Sequence, residues 1–390
     1  MTWYLTAFIG LLGAFFGSFA NVVIYRLPAG KSIVFPGSHC YNCGKRLTFI
    51  DLVPILSWLV LRGRCRHCGS SISARYPLVE TLMTAGFVLI ALRFPFFEYG
   101  LTMLPLLALF FLLVVLSMID IDHFLLPDVL NFPALAVALL GPLFYATNSG
   151  LPTVWGAALG AALGAGILVF VNRLGSLVLR RFADTKERLW PVGMDQVNLA
   201  ALGGALGGWI AGIGLAVLSV ILNLATRRTL RLPEGVVYGL WALALLLVNV
   251  NPFVAPLDAI AGTLAAAGAV AVLGALYWWG YDLRHPANHQ DTDRDVATEA
   301  DAVTDEDDEP VAMGFGDVKL AAVLGAMLGW QSLLVGLLFA FVFGAVGGVI
   351  TQALGKGRQV PFGPYLALGS VAALFVGPQI VAWYAGLIGL

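Results

Sequence analysis

The chain is a succession of apolar runs, most of them about twenty residues long, separated by short polar segments. A helix needs roughly 20 residues to cross a hydrocarbon core of about 30 Å. Inside lipid every backbone N–H and C=O must be satisfied by the chain itself, so only helices and closed barrels span. Barrel strands alternate apolar and polar residues over segments of about ten, and these runs do not alternate. Hydrophobic residues are 59% of the chain and charged residues 12%, against about 45–50% and about 25% in soluble domains. The expected fold class is an all-α polytopic membrane protein. About twelve transmembrane helices are expected, near 3–25, 77–93, 101–119, 128–146, 152–172, 197–209, 210–226, 235–250, 257–279, 317–329, 331–353 and 362–380. The two short ones near 197 and 317 are expected to tilt or to enter only part of the bilayer. No removable signal peptide is expected, because the first apolar run lacks a basic segment before it.

Basic residues set the orientation, since Lys and Arg collect on the cytoplasmic side. With the N-terminus outside, the inner segments are 26–76, 120–127, 173–196, 227–234, 280–319 and 354–361, and they hold 21 of the 22 Lys and Arg residues, all but Arg93. That places Asp120 and Asp317 at the same, cytoplasmic, face.

Residues 26–76 form a polar loop that holds all four cysteines. Cys40, Cys43, Cys65 and Cys68 make two CxxC knuckles 21 residues apart, each followed by a glycine that lets backbone amides turn toward the thiolates. Four thiolates at this spacing suit tetrahedral zinc, and a closed tetrathiolate has no open position for catalysis, so a structural zinc is expected. Two redox pairs are the alternative, although disulfides rarely persist in the cytosol. His39 and His67 are alternate ligands, but four cysteines already complete a shell. Residues 287–310 carry ten acidic residues against one arginine and no aromatic residue; such a stretch is expected to be a disordered acidic spacer.

Two carboxylates stand at the ends of apolar runs. Asp120 closes one run, followed by Asp122 and Asp128, and Asp317 lies in Gly314-Phe315-Gly316-Asp317-Val318-Lys319 at the mouth of another. A charged group beside or within a bilayer is costly and is a functional-site hypothesis by default. Two close carboxylates do not both ionise easily. One then takes a proton from water while the other protonates the scissile carbonyl, which is the minimal equipment of an aspartic protease. The bland reading is that Asp120, Asp122 and Asp128 are solvated loop residues or helix caps.

The chain also repeats itself. Residues 192–209 align without gaps to 313–330 with nine of eighteen positions identical. Gln196 and Asn198 stand where Asp317 and Lys319 do, while Asp195 is one residue out of register. A shared small-residue vocabulary of packed membrane helices is the bland explanation; a duplication whose first copy lost the charged groups is the sharper one.

Taken together these features resemble the bacterial type IV prepilin peptidases, bifunctional leader peptidase and N-methyltransferase enzymes of the GxGD intramembrane aspartic protease type. The resemblance spans nearly the whole chain: Gly17 to Pro28, the two knuckles, Arg75 to Glu80, Asp120 to Pro127, the Gly-Phe-Gly-Asp motif and Pro361-Phe362-Gly363-Pro364-Tyr365. It implies a multi-pass protein of the bacterial inner membrane that cleaves the leader of prepilins and pseudopilins at the cytoplasmic face and then methylates the new N-terminus. Asp120 and Asp317 match the catalytic aspartates, with Gly314, Gly316, Lys319 and Asp122 in support. Cys40, Cys43, Cys65 and Cys68 match the zinc ligands, and the methyl donor is S-adenosylmethionine. Arg26, Arg75 and Glu80 are candidates for methyl transfer because they are charged and lie beside the membrane. Prepilins and membrane lipid are the expected partners, with no nucleic acid.

The expected organisation is a first helix at 1–25, a zinc loop at 26–76, helices with the first aspartate at 77–149, an inserted degenerate repeat at 150–256 and the Gly-x-Gly-Asp helices at 257–390. Two readings compete with the enzyme. A transporter would use the same repeats and short helices, but with a site near the midplane. A silent scaffold of a pilus or secretion assembly would not need both aspartates.

Overall fold

The structure, a computed structural model, describes residues 2–178, 191–227, 229, 234–247, 254–285, 314–353 and 360–388. The acidic stretch 287–310 lies outside the described residues. Among these residues the elements are helices, with two isolated β-bridges confined to the cysteine loop. Among the described residues, eight helices are long and apolar enough to cross a membrane. Two more apolar helices, Asp128–Phe144 and Gly235–Leu246, are shorter. Those two, together with two helices that break in the middle, account for the difference from the twelve expected spans.

The chain forms two compact units. The first comprises Met1–Val154, Leu334–Gly355 and Val360–Leu390. It contains α1 (Thr2–Arg26), α2 (Leu56–Val60), α3 (Arg75–Arg93), α4 (Phe96–Tyr99), α5 (Met103–His123) and α6 (Asp128–Leu140). Helix α1 runs against α3, and glycine sets how closely: a Cβ at Gly17 would stand 2.6 Å from the Cα of Glu80. Helix α5 is apolar up to its last two turns, which carry Ser117, Asp120, Asp122 and His123, and it packs its buried leucines and valines among α1, α3 and α6. It stops where Phe124 takes a left-handed conformation (φ 52°) and its N–H returns to the carbonyl of Asp120 at 2.9 Å. Pro127 is extended, and Asp128 is the first helical residue of α6.

The second unit centres on Trp155–Leu333. It holds most of α7 (Val154–Val178), then α8 (Met194–Thr226), α9 (Glu234–Leu246), α10 (Pro256–Arg284) and the start of α11 (Phe315–Ala353). Helix α11 passes into the first unit at Leu334, and α12 (Gly363–Ile388) belongs there.

Helix α8 is not one rod. Gly208 has φ 77° and ψ 180°, a backbone that favours glycine. Beyond it the chain folds back, because the Gln196 amide donates to Ser219 Oγ at 3.1 Å and that of Asn223 to Pro191 O at 3.1 Å. A straight helix would hold Gln196 and Ser219 roughly 35 Å apart. Helix α11 breaks in the same way at Gly329 (φ 73°, ψ 164°). Ala321 and Leu333 both flank Gly164 of α7, though twelve residues of straight helix would separate them by about 18 Å. The expected short helices near 197 and 317 are therefore the first arms of two helical hairpins. Each arm is about 20 Å long at 1.5 Å per residue, too short to cross alone.

The two copies of the repeat fold alike. Gln196 N–H donates to Gly193 O at 3.2 Å, and Asp317 N–H to Gly314 O at 3.2 Å. Their breaking glycines, 208 and 329, are aligned positions. The packing is reciprocal as well. A Cβ on Gly166 of α7 would strike the Leu264 carbonyl of α10, and one on Gly268 of α10 would strike the Ala162 carbonyl of α7. Gly160 of α7 meets Gly325 of α11, while Gly262 of α10 meets Gly204 of α8. The helix that precedes each hairpin thus packs on the other copy's hairpin. The degenerate copy has filled its polar positions with amides: Gln196 and Asn198 are buried, and Gln196 Oε1 accepts the Gly193 N–H at 2.7 Å.

Candidate functional site

Asp120 lies in the last turn of α5 and is 5% exposed. Its Oδ2 accepts the backbone N–H of Gly363 at 3.0 Å. Gly363 is the first residue of α12, where N–H groups have no partner within the helix. The contact favours glycine, since a Cβ at 363 would sit 2.6 Å from the same oxygen and the carboxylate would have to shift. Sequence reasoning did not connect these residues, which are 243 positions apart. The available signal was Pro361-Phe362-Gly363-Pro364-Tyr365, a glycine between prolines at the head of an apolar helix.

Two residues on, Asp122 is part-exposed and pairs with Arg75 of α3 at 2.6 Å. Arg75 also donates to the Met118 carbonyl at 3.2 Å. This clamp ties the start of α3 to the end of α5, and it occupies Arg75. Asp317, in the second unit, is 9% exposed in the first turn of α11. Gly314 and Gly316 precede it, and Lys319 holds its ammonium 5.8 Å from the centre of the Phe315 ring.

Arg26 closes α1 and is 8% exposed, with a guanidinium N–H donated to Ser32 O at 3.0 Å. Glu80 is 7% exposed on α3 and accepts the Ile55 N–H at 2.7 Å. Ile55 has φ 62°, an outlier for a β-branched residue that persists only where surrounding contacts impose it. The carboxylate supplies such a contact. Both residues face the cysteine loop; Arg75 does not join them.

The four cysteines are free thiols whose sulfurs all lie within 4.8 Å of one another. Cys40 and Cys68 sulfurs are 3.8 Å apart, the edge expected, at about 3.8 Å, of a tetrahedron with Zn–S near 2.3 Å. Each knuckle has the same backbone. Gly44 (φ 68°) and Gly69 (φ 71°) donate to Cys40 O and Cys65 O at 2.8 and 2.9 Å. Cys40 and Cys65 N–H groups donate to Lys45 O and Ser70 O at 2.9 and 2.8 Å. Amides do turn toward sulfur: Cys43 and Asn42 N–H groups lower the Cys40 thiol, and His67 N–H reaches Cys65 Sγ at 3.4 Å. The Ser70 hydroxyl, then its amide, bring the Cys68 thiol down to about 6. The Lys45 amide lowers Cys43, but burial and the neighbouring thiols outweigh it and push that thiol up to about 11. Asp51 links Thr48, just beyond the first knuckle, to Arg66 of the second. Thr48 hydroxyl and amide and the Arg66 guanidinium, at 2.7 Å, hold its carboxyl at about 2.

Comparison with known proteins gives this geometry a setting. The Bacterial Peptidase A24 N-terminal domain matches residues 11–94, and the Type IV leader peptidase family matches 227–349. The type 4 prepilin-like proteins leader peptide-processing enzyme of Escherichia coli is 33% identical over 258 residues, covering 60% of this chain and 90% of that relative. The chain belongs to the type IV leader peptidase family. Another relative, the prepilin leader peptidase/N-methyltransferase of Myxococcus xanthus, is 38% identical over 231 residues, 57% of this chain and 64% of its own. The enzyme of the same description from Aeromonas salmonicida is 27% identical over 416 residues, 100% of this chain and 96% of its own. No solved structure matches. Within the family match at 227–349 lie Asp317 and its glycines; the A24 N-terminal match holds the four cysteines, Arg26, Arg75 and Glu80. Asp120 and residues 95–226 fall in neither match.

Proposed function

We propose that this chain is a prepilin leader peptidase with N-methyltransferase activity. On this reading it is a multi-pass inner-membrane enzyme whose N-terminus is outside and whose carboxylates lie at the cytoplasmic face. Its substrates are prepilins and pseudopilins. Asp120 and Asp317 are the catalytic pair. Family membership supports the reaction class. The observation that carries the site is the buried Asp120 carboxylate, gripped through Oδ2 by a helix-terminal N–H.

In the reaction, the charged carboxylate of the pair takes a proton from water as it attacks the scissile carbonyl, and the neutral one gives its proton to that oxygen. The two titrate together, so neither is assigned alone to acid or base. Gly314 and Gly316, on either side of Phe315, present no side chain beside Asp317 at the start of α11, and the Arg75–Asp122 clamp fixes the end of α5 that carries Asp120. Cys40, Cys43, Cys65 and Cys68 hold one structural zinc; their sulfur spacing suits it. S-adenosylmethionine supplies the methyl group for the new N-terminal amine. Residues 150–256 are an inserted copy without catalytic carboxylates of its own.

The deciding experiment is leader cleavage by purified protein in detergent. Asp120→Ala and Asp317→Ala are each expected to lose on the order of 10²–10⁴-fold in rate, the range for an acid–base group. Asp195→Ala is expected to cut normally. Cleavage that survives both of the first two changes ends the protease reading, and a dead Asp195 variant means a different carboxylate is paired.

A further inference from the structure

The inserted repeat carries a polar cluster that leader cleavage does not use, wholly within the second unit. The Phe170 ring of α7 lies 5.7 Å from the Trp241 ring of α9. The charge count puts the end of α7 and the start of α9 at one face of the membrane, so the two helices run in opposite directions. Residues three apart share a helix face. Arg173, one such step on from Phe170, and Tyr238, one step back from Trp241, therefore stand at one level where the helices meet. Arg173 Nε and Nη2, the Tyr238 hydroxyl and Trp241 Nε1 are all buried atoms. Among the described residues the indole N–H has no acceptor.

These groups call for an anion. A charge inside an apolar helix is costly and marks a functional position by default, and α7 has no other charged residue from Val154 to Val178. Guanidinium and indole nitrogens only donate, and a phenol can. The guanidinium fork fits two oxygens of a phosphate, which leaves further oxygens for the indole N–H and the phenol. The end segments 173–196 and 227–234 carry eight Lys and Arg against four Asp and Glu. Such a surplus attracts anionic lipid, and basic pockets between membrane helices hold its headgroups. Trp and Tyr favour the same depth. Leu174 of α7 and Leu240 of α9 flank the cluster and are exposed, which offers acyl chains an apolar surface. We propose that Arg173, Tyr238 and Trp241 bind the phosphate of an anionic phospholipid, and that this lipid joins α9 to α7.

The test is a titration of the full chain in detergent with phosphatidylglycerol and, separately, with phosphatidylcholine, with bound lipid counted by native mass spectrometry. One phosphatidylglycerol is expected to bind in preference to phosphatidylcholine. Trp241→Phe, which keeps a ring beside Phe170 and removes the N–H, and Arg173→Gln are each expected to weaken it at least about tenfold, the effect of about 1.4 kcal/mol. Arg93→Gln, at the cation stacked on Phe94 and assigned by the charge count to the opposite face, is expected to bind as wild type does. Melting in lipid-free detergent reports folding; where Arg173→Gln does not fold, Trp241→Phe decides alone. Wild-type binding in the folded variants, an equal loss in Arg93→Gln, or equal affinity for phosphatidylcholine overturns the site. Displacement of the lipid by inorganic phosphate at equal concentration overturns the choice of a lipid, because the site is then one for a free anion.

Discussion

Gly363 shows how much a single position decides here. Its N–H orients one oxygen of Asp120, and its missing Cβ is what lets α12 approach. Gly363→Ala is therefore expected to displace the carboxylate, not merely to loosen the helix. With Asp120 in its proposed catalytic role, misplacing it by about 1 Å costs on the order of 10²-fold in rate, and a strained methyl of this kind costs about 1–3 kcal/mol of stability. The measurement is kcat and KM for leader cleavage beside a melting curve: kcat should fall about a hundredfold with KM nearly unchanged. A lower melting point with normal kcat would make Gly363 a packing residue only. The candidate aspartates were legible in the sequence because a carboxylate closing an apolar run is rare. The partner of Asp120 was not, because a backbone N–H has no side-chain signature and comes from a helix 243 residues away. Arg75 was picked out on charge alone; the structure spends it on Asp122.

At the scale of elements, small residues govern. Gly166 and Gly268 stand where a side chain would strike the backbone of the facing helix, whereas Gly280 of α10 has open space around it. Gly166→Leu and Gly268→Leu are expected to destabilise by at least about 1–3 kcal/mol, as forced overpacking does. Gly280→Ala should instead stabilise by about 0.5–1 kcal/mol, the helical preference of alanine over glycine. Thermal unfolding in detergent checks all three; equal losses at all three would refute the reciprocal packing. The repeat alignment had already set Gly208 opposite Gly329, and both proved to be breaks with positive φ. What the alignment did not contain is which helix each hairpin would choose. Apolar periodicity marks a helix that will be buried, but not its partner, and the exchange of α7 and α10 between copies is a property of three-dimensional packing.

For the whole molecule, the cysteine loop and the repeat unit can be perturbed separately. Zinc binds thiolates, so protons compete with it. Cys68 is held down to about 6 and Cys43 is pushed up to about 11, so metal loading must drive protons off the high thiol, and affinity falls as pH falls. Zinc release followed with a chromophoric chelator should increase steadily from pH 8 to pH 5; release independent of pH would argue against thiolate ligation. Excising 150–256 should abolish folding of the second unit, because it removes α7, on which both Gly268 of α10 and Gly325 of α11 close. The same exchange has a consequence in time. Gly325 follows Gly160 by 165 residues, and at about 5–20 residues per second of synthesis the glycine-lined face of α7 waits on the order of ten seconds or longer for its partner. During that interval a ribosome-bound nascent chain carries an unfilled groove in the membrane. Arresting synthesis before residue 315 should therefore leave a cysteine introduced at Ala161, the buried neighbour of Gly160, open to a small thiol-reactive probe, and arrest beyond residue 353 should protect it.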